Sequence, residues 1–174
     1  MKKLICTFVF GAALAAITQV SFAKEEGKGG STDAAFMKKA AIGGMTEVEL
    51  GKIAAEKGTN QDVKDFGNRM VADHGKANDE LKSIASKLNA TVPDKPDSKH
   101  QGDIDKFSKM SSGDAFDKAY ARNMVQDHEE DVAEFQKAEK QVKDADLKKF
   151  IQDTVPIMKE HLEMAKKLSG GGKK

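Results

Sequence analysis

The sequence predicts an all-α domain, a four-helix up-down bundle with one long connection in its middle. Two observations predict this fold class. Apolar residues recur at helical spacing in four long segments, which is typical of amphipathic helices that share a core. Only a few residues separate the first two and the last two segments, whereas residues 89–112 separate the middle pair. Helices joined by short turns are antiparallel neighbours, so the long segment is expected to cross the bundle.

The N-terminus has the pattern of a secretory signal peptide. Two lysines precede an apolar run from Leu4 to Val20, and a small-x-small triplet ends at Ala23. The run is shorter than the ~20 apolar residues of a spanning helix, and an uncleaved N-terminal anchor is the alternative. We therefore divide the chain into four parts: a signal peptide (1–23), a disordered polar leader (24–32), the helical domain (33–168) and a flexible tail (169–174).

Charge and cysteine content narrow the function classes. The cleaved chain has 27 basic and 28 acidic residues, a net charge of −1, because Lys2 and Lys3 are lost from the 29 basic residues. A near-neutral chain has no electrostatic attraction to nucleic acid. The only cysteine, Cys6, lies in the signal peptide, so the exported domain depends on its core rather than on disulfides. We expect a periplasmic or secreted location and no stable membrane insertion after cleavage, and we leave a homo-oligomer open.

Helices A and B form the first predicted pair. Helix A runs from about Asp33 to Lys57, with Thr32 or Asp33 as its cap and Gly58 at its end. The pair Gly43-Gly44 inside helix A indicates a close approach to another helix. Helix B runs from Thr59-Asn60 to about Leu88, and a capping-box-like arrangement of Thr59 with Asp62 begins it.

Helices C and D form the second pair. The connection before them contains two prolines and a short predicted helix near Asp103–Met110. Helix C is predicted from about residue 112 to Val142, and helix D from residue 144 or 146 to Leu168 with a kink at Pro156. Two short turns with a single crossover are the connectivity of ferritin-like bundles.

A weak internal repeat supports two related helix pairs. The segment Val63–Phe66 of helix B aligns with Leu147–Phe150 of helix D, and we call the shift between them the repeat offset. The same offset places Glu47 on Asp131. One offset thus relates helix A to helix C and helix B to helix D, which favours a duplication over chance periodicity.

Five polar residues lie on or beside the apolar stripes, where a helix usually buries an apolar side chain: Glu47, His74, His128, Asp131 and His161. Buried polar groups are costly unless they are paired or bind a metal. Three imidazoles with a carboxylate suit one Zn²⁺, Ni²⁺ or Cu²⁺ ion. A hydrogen-bonded network that fixes helix register is the alternative. At about 1.5 Å of rise per residue the five are spread along the bundle, which argues against one ion bound by all of them.

The neighbours of the histidines refine this hypothesis. A ferritin-type iron centre takes a Glu-x-x-His pair from each of two helices, but the residues three before His74 and His161 are Val71 and Met158. That chemistry is therefore disfavoured. A methionine one turn before each histidine makes thioether ligation of copper an alternative to simple core packing. The aspartates directly before His74 and His128 are predicted to orient imidazoles across helices.

Several motifs resemble a known family. They include Gly44-Met45-Thr46-Glu47-Val48-Glu49-Leu50-Gly51, Met70-Val71-x-Asp73-His74, Met124-Val125-x-Asp127-His128 and Thr154-Val155-Pro156 followed by His161-Leu162. In order and spacing they resemble the exported bacterial family of unknown function with a ferritin-like domain, often labelled "predicted outer membrane protein". The resemblance covers about Ala34 to Leu168. It implies a ferritin-like up-down bundle and an exported location, but no reaction.

The features together favour an exported bundle that binds one divalent transition metal (Zn, Cu, Ni or Fe) for metal handling or protection against oxidative stress. The alternative is a non-enzymatic envelope or stress-related interaction protein whose polar core is structural. A metal-dependent oxidase is the least favoured hypothesis, so no enzymatic activity is predicted.

Overall fold

The structure, a computed structural model, describes residues 30–170, which form five α-helices and no strands. The helices are α1 (Gly30–Lys57), α2 (Gln61–Lys87), α3 (Ser98–Lys109), α4 (Asp114–Glu139) and α5 (Ala145–Ser169). The four long helices and the short helix in the crossover confirm an all-α bundle. Helix α1 packs on α2, α4 packs on α5, α2 contacts α5, and α3 covers α1. The ferritin-like up-down arrangement stays a prediction.

The helix limits differ from the prediction at two N-termini. Helix α1 begins at Gly30, so the last residues of the predicted leader are helical, while the predicted signal peptide lies outside the described residues. Helix α3 begins at Ser98, earlier than the predicted Asp103, because the Asp97 side chain accepts the backbone N–H of His100 and caps it. Within residues 30–170 no helix combines the length and the apolar character needed to cross a membrane.

Two aspartates join the helix pairs by equivalent contacts. Asp33, predicted as the cap of helix A, instead accepts hydrogen bonds from the backbone N–H groups of residues 143–144, each at 3.0 Å. Asp117 accepts the backbone N–H groups of residues 59–60 at 3.1 and 2.8 Å. The repeat offset relates the two aspartates to each other and also the two turns that they bind. The structure therefore repeats one long-range contact, as a duplication predicts.

Because of the contact with Asp117, the N-cap of α2 is not the predicted residue. Thr59 was the predicted cap, but its hydroxyl donates to the Asp117 carboxylate at 2.7 Å. Asn60 is the actual N-cap, and its side-chain oxygen accepts the backbone N–H of Asp62 at 2.9 Å. The threonine hydroxyl is thus used between helix pairs rather than at the start of its own helix.

Helices α1 and α2 touch backbone to backbone. A Cβ atom at Gly67 would lie 2.6 Å from the carbonyl oxygen of Gly51, so no larger residue fits without a shift. A Cβ atom at Gly44 would collide with the Asn78 side chain, which confirms the predicted close approach at that glycine. Its neighbour Gly43 faces open space instead, since a Cβ there meets no atom within 4 Å.

The apolar core consists of two clusters, and the histidines lie where they meet. On α2, His74 lies between Met70 of one cluster and Leu81 of the other. His128 on α4 and His161 on α5 are flanked by members of both clusters in the same way. The polar residues therefore occupy one layer across the bundle, with apolar packing on both sides.

Candidate metal centre

Four helices each contribute one buried polar side chain to this layer. Glu47 comes from α1, His74 from α2, His128 from α4 and His161 from α5. Their exposed fractions are 4%, 6%, 0% and 0%. We call these four residues the histidine centre. The structure thus brings together four of the five residues that the helical stripes indicated.

One nitrogen of each imidazole points to a common point. His161 Nδ1 lies 3.3 Å from His74 Nε2 and 3.3 Å from His128 Nε2, and all three nitrogens lie within 4.8 Å of one another. Two nitrogens that each lie about 2.0–2.1 Å from one tetrahedral ion are about 3.3 Å apart. The spacing therefore fits joint ligation of a single ion.

The Glu47 carboxylate lies against two of the three imidazoles. Its Oε2 lies 2.8 Å from His74 Nδ1, and its Oε1 lies 3.5 Å from His128 Nε2. Oε1 has no hydrogen-bond partner, and among the described residues only the Tyr120 hydroxyl shares this condition in a buried side chain. A buried carboxylate oxygen without a donor is costly. It is also a ligand that a cation can use.

The outward nitrogens of the imidazoles face groups that only accept. His128 Nδ1 lies 3.0 Å from the carbonyl oxygen of Met124, and His161 Nε2 lies 2.8 Å from Asp73 Oδ2. His74 Nδ1 faces the Glu47 carboxylate, as described above. The hydrogen-bond network therefore assigns the proton of each neutral imidazole to its outward nitrogen.

This assignment leaves the three inward nitrogens with bare lone pairs. With the protons in these positions the inward nitrogens can only accept, so a hydrogen bond between two of them requires the other neutral tautomer of one imidazole. The lone pair of His161 Nδ1 faces those of His74 and His128 at 3.3 Å in a dry interior. Such lone pairs repel one another, and a shared cation removes that repulsion. In metal sites, imidazole ligands are commonly oriented by an acceptor that binds the proton on the outward ring nitrogen, as is found here.

The Asp73 carboxylate is held in its ionised form. Burial opposes its ionisation, but hydrogen bonds from His161 and Arg69 outweigh burial and lower the pKa of Asp73. Arg69 Nε lies 3.1 Å from Asp73 Oδ2, and its guanidinium also pairs with Glu160 at 2.8 Å. Asp73 therefore serves as the acceptor that the sequence predicted across helices.

Burial sets the protonation of the centre itself. It lowers the pKa of His74, His128 and His161 to about 4 each, so the imidazoles are neutral at neutral pH. It also raises the pKa of Glu47 above the ordinary carboxyl value. Neutral imidazoles are the form that binds metals, and a nearby cation would lower the pKa of Glu47 again.

The comparison with protein families supports one part of the resemblance, membership of a family of unknown function. The model of the family described as "Domain of unknown function (DUF4142)" matches residues 18–168. The chain belongs to this family. No curated protein and no solved structure matches the chain. Since the family description assigns no activity, the function of this family member has to be argued from the histidine centre.

Asp131, the fifth predicted residue, lies apart from the three imidazoles. It is half-buried on the wall of a cavity of about 330 Å³, which Glu47 and His74 also line. Its own burial and then the charge of Glu47 raise the pKa of Asp131 to about 8. The helical stripe placed Asp131 on the correct side of α4, but the stripe does not distinguish the centre from the cavity beside it.

Two other polar residues near the histidines do not reach the imidazoles of the centre. Asp127, predicted to orient an imidazole, accepts a hydrogen bond from Asn123 of its own helix at 2.6 Å. His100 lies on α3, where its Nδ1 is 2.7 Å from the Asp97 carboxylate that caps the helix. Sequence alone does not separate Asp73 from Asp127, because both directly precede a histidine.

Proposed function

We propose that this protein binds one divalent transition-metal ion in the core of its helical bundle. The ligands are His74 Nε2, His128 Nε2, His161 Nδ1 and Glu47 Oε1. One observation carries the proposal: three buried imidazole nitrogens from three helices lie within 4.8 Å of one another, and an unpartnered carboxylate oxygen from a fourth helix lies 3.5 Å from one of them. Three nitrogens and one oxygen are a donor set for Zn²⁺, and Ni²⁺, Cu²⁺ and Fe²⁺ also accept it.

Charge balance supports an ion over a purely structural network. Arg69 already pairs with the ionised Asp73, whereas among the described residues the only basic side chains that pair with Glu47 are histidines, so a cation beside Glu47 would neutralise its carboxylate in place. A metal-free network would need a proton between two inward nitrogens. A neutral imidazole that carries its proton inward turns a bare outward nitrogen towards the acceptor it faces, which is unfavourable at His128 and His161.

The role that fits such a centre is metal handling or protection against metal-driven oxidative damage. Ligands from four separate helices bind an ion only in the folded bundle, which suits retention and controlled release. The signal-peptide pattern would direct the protein to the periplasm or the outside of the cell, where it would meet metals before they enter the cytoplasm. Zinc, copper, nickel and iron are the candidate cations.

Equilibrium metal binding tests this function. Protein stripped with a chelator is titrated with Zn²⁺ and, separately, with Co²⁺, whose visible spectrum reports tetrahedral ligation. We expect one equivalent per chain, and we expect His128→Ala to abolish binding. The matched control is His100→Ala, which removes a histidine outside the centre and should keep one equivalent.

Thermal unfolding of the same samples separates the proposal from the structural network. A metal that binds only the folded chain stabilises it by about 2.7 kcal/mol at a free concentration of 100 times Kd, and the melting temperature rises accordingly. The titration and the melting curves are repeated with Cu²⁺, Ni²⁺ and Fe²⁺. Failure of every metal to bind stoichiometrically, with an unchanged melting temperature, would overturn the proposal and leave the polar layer as a structural network.

A further inference from the structure

The cavity beside the histidine centre connects the protein surface with the proposed ion. Glu47 and His74 are at its inner end, and both are at least nine-tenths buried. Its middle is apolar, with the rings of Phe36, Phe135 and Phe150 in the wall. It therefore touches two of the four residues of the centre, Glu47 and His74.

The internal duplication explains the position of this cavity. Each ligand of the centre has a counterpart at the repeat offset: Asp131 for Glu47, Met158 for His74, Gly44 for His128 and Ala77 for His161. All four counterparts line the cavity. The cavity is therefore the symmetry-related equivalent of the histidine centre, and like the centre it is lined by residues of both helix pairs. Smaller side chains at two of these positions, in place of imidazoles, leave the space open.

The charge at the mouth of the cavity selects for cations. In addition to Glu47, the carboxylates of Asp97, Glu130 and Glu134 line the cavity against two lysines, and Asp131 adds a carboxyl that is mostly protonated at neutral pH. A cleft lined mostly by one sign of charge concentrates ions of the opposite sign and raises their association rate. Anions are repelled from the same mouth.

We infer that this cavity is the passage through which the divalent cation reaches the histidine centre and leaves it. The inference rests on the proposed function, because it needs an ion at the centre. Glu47 lines the cavity and its Oε1 has no hydrogen-bond partner, so a cation in the cavity meets a residue of the centre directly. The residues that the repeat offset relates to the centre have thus become the access route to it.

Obstruction of the passage gives a kinetic signature that a change of ligands does not. A block raises the barrier for entry and for release by the same amount, because both use one route, so Kd stays constant while both rates fall. Gly43 is the position for this block: it lines the cavity, and a Cβ atom there meets nothing within 4 Å. Phenylalanine at position 43 would therefore extend into the cavity without a backbone clash.

The experiment compares Gly43→Phe with two control variants. Gly43→Ala reproduces the gain in helix propensity without the ring, and Gly102→Phe adds a ring to another helical glycine that lies off the cavity. Stopped-flow mixing with Co²⁺ gives the association rate, and an excess of chelator gives the release rate. In Gly43→Phe we expect both rates to fall by about tenfold with Kd unchanged, whereas both controls match the wild type.

A second variant tests the negative charge at the mouth of the cavity without adding a bulky side chain. Glu130→Gln with Glu134→Gln should slow association several-fold at low salt, and the difference should disappear at high salt. Wild-type rates in both Gly43→Phe and the double variant, with one equivalent of metal bound, would overturn the passage and leave the proposed function intact. Absence of metal binding by the wild type would overturn both.

Discussion

The two oxygens of the Glu47 carboxylate face different neighbours. Oε2 lies 2.8 Å from His74 Nδ1 and fixes that imidazole, while Oε1 is unpartnered and faces His128. The Glu47 side chain thus orients one proposed ligand, His74, and offers its own Oε1 as another. Removing its charge while keeping its shape separates metal binding from packing.

We expect Glu47→Gln to weaken metal binding by about 100-fold without destabilising the metal-free protein. The glutamine oxygen can still accept the hydrogen bond of His74 Nδ1, and the costly buried charge is lost. The Kd is measured by competition with a chromophoric chelator, and urea unfolding gives the stability. Glu49→Gln is the control, because Glu49 pairs with exposed Lys52 outside the centre. An unchanged Kd would exclude Glu47 as a ligand.

The histidines of the centre should stay neutral in mildly acidic solution. Folding lowers the pKa of all three from 6.5 to about 4, so their contribution to stability is complete above pH 6.5 and is lost as pH falls towards 4. The carboxyls of Asp127 and Asp131 act in the opposite direction, because burial raises their pKa values to about 7 and 8. Because these effects on stability oppose each other, the protonation of the imidazoles has to be measured directly.

Ring ¹⁵N chemical shifts of the chelator-treated protein provide that measurement. We expect the three core imidazoles to remain neutral at pH 5.5, with the proton on Nδ1 in His74 and His128 and on Nε2 in His161. Titration of any of them near pH 6.5, or the opposite proton position, would contradict the described hydrogen-bond network.

Residue types and periodicity were sufficient to predict most of the centre. Glu47, His74, His128 and His161 each interrupt an apolar stripe, which is visible in the sequence. Periodicity gives the face of a helix but not the height at which side chains from different helices meet. For that reason Asp131 was grouped with the other four, although the structure places it on the cavity wall.

At the level of helices, the contact between α1 and α2 determines how closely Glu47 approaches His74. The two backbones meet at Gly51 and Gly67. Gly51 lies one turn from Glu47 on α1, and Gly67 lies two turns from His74 on α2. A side chain at this contact would separate the helices. Its effect should therefore appear in stability as well as in metal affinity.

We expect Gly67→Ala to destabilise the fold by about 1–3 kcal/mol, because its Cβ would lie 2.6 Å from a backbone oxygen of α1. Gly75→Ala on the same helix is the matched control. Its Cβ meets nothing within 4 Å, so it should stabilise the fold by about 0.5–1 kcal/mol. Urea unfolding measures both variants. Equal effects of the two substitutions would show that the helices do not touch at Gly67.

Helix identities were predictable from the sequence, but the contacts between helix ends were not. The caps of α2 and α5 are local signals, since Asn60 and Asp144 accept backbone N–H groups within their own first turns. Asp33 was interpreted as a local cap as well. It binds residues 143–144 instead, and a contact over that distance in the chain is absent from any local pattern.

At the level of the whole molecule, the repeat offset relates the two helix pairs in structure as well as in sequence. Equivalent aspartates join equivalent turns, so this part of the scaffold is retained in both pairs. The polar layer is not retained: the histidine centre takes two residues from each pair, and the counterparts of these residues at the repeat offset line the cavity. The weak repeat in the sequence predicted the related helix pairs, but not which of the two equivalent sets of residues would lie in the buried centre.

Restoring the lost imidazoles should create a second metal site. Ala77→His with Met158→His places imidazoles at the counterparts of His161 and His74, beside Asp131. We expect two equivalents of Zn²⁺ per chain, against one for the wild type. Gly44 is left unchanged because a Cβ there would collide with Asn78.

The control for this variant carries the same two substitutions at exposed neighbours, Ala72→His with Ile157→His. It should bind one equivalent. A stoichiometry that stays at one in the cavity variant would contradict the equivalence of the cavity and the histidine centre.

Zinc K-edge X-ray absorption of the wild type loaded with one equivalent of Zn²⁺ tests the central claim most directly. The structure predicts three imidazole nitrogens and one carboxylate oxygen at about 2.0–2.1 Å, with the outer-shell scattering of imidazole rings. An ion surrounded by about six oxygens without imidazole scattering, as expected for surface-bound Zn²⁺, would contradict a metal centre built from Glu47, His74, His128 and His161.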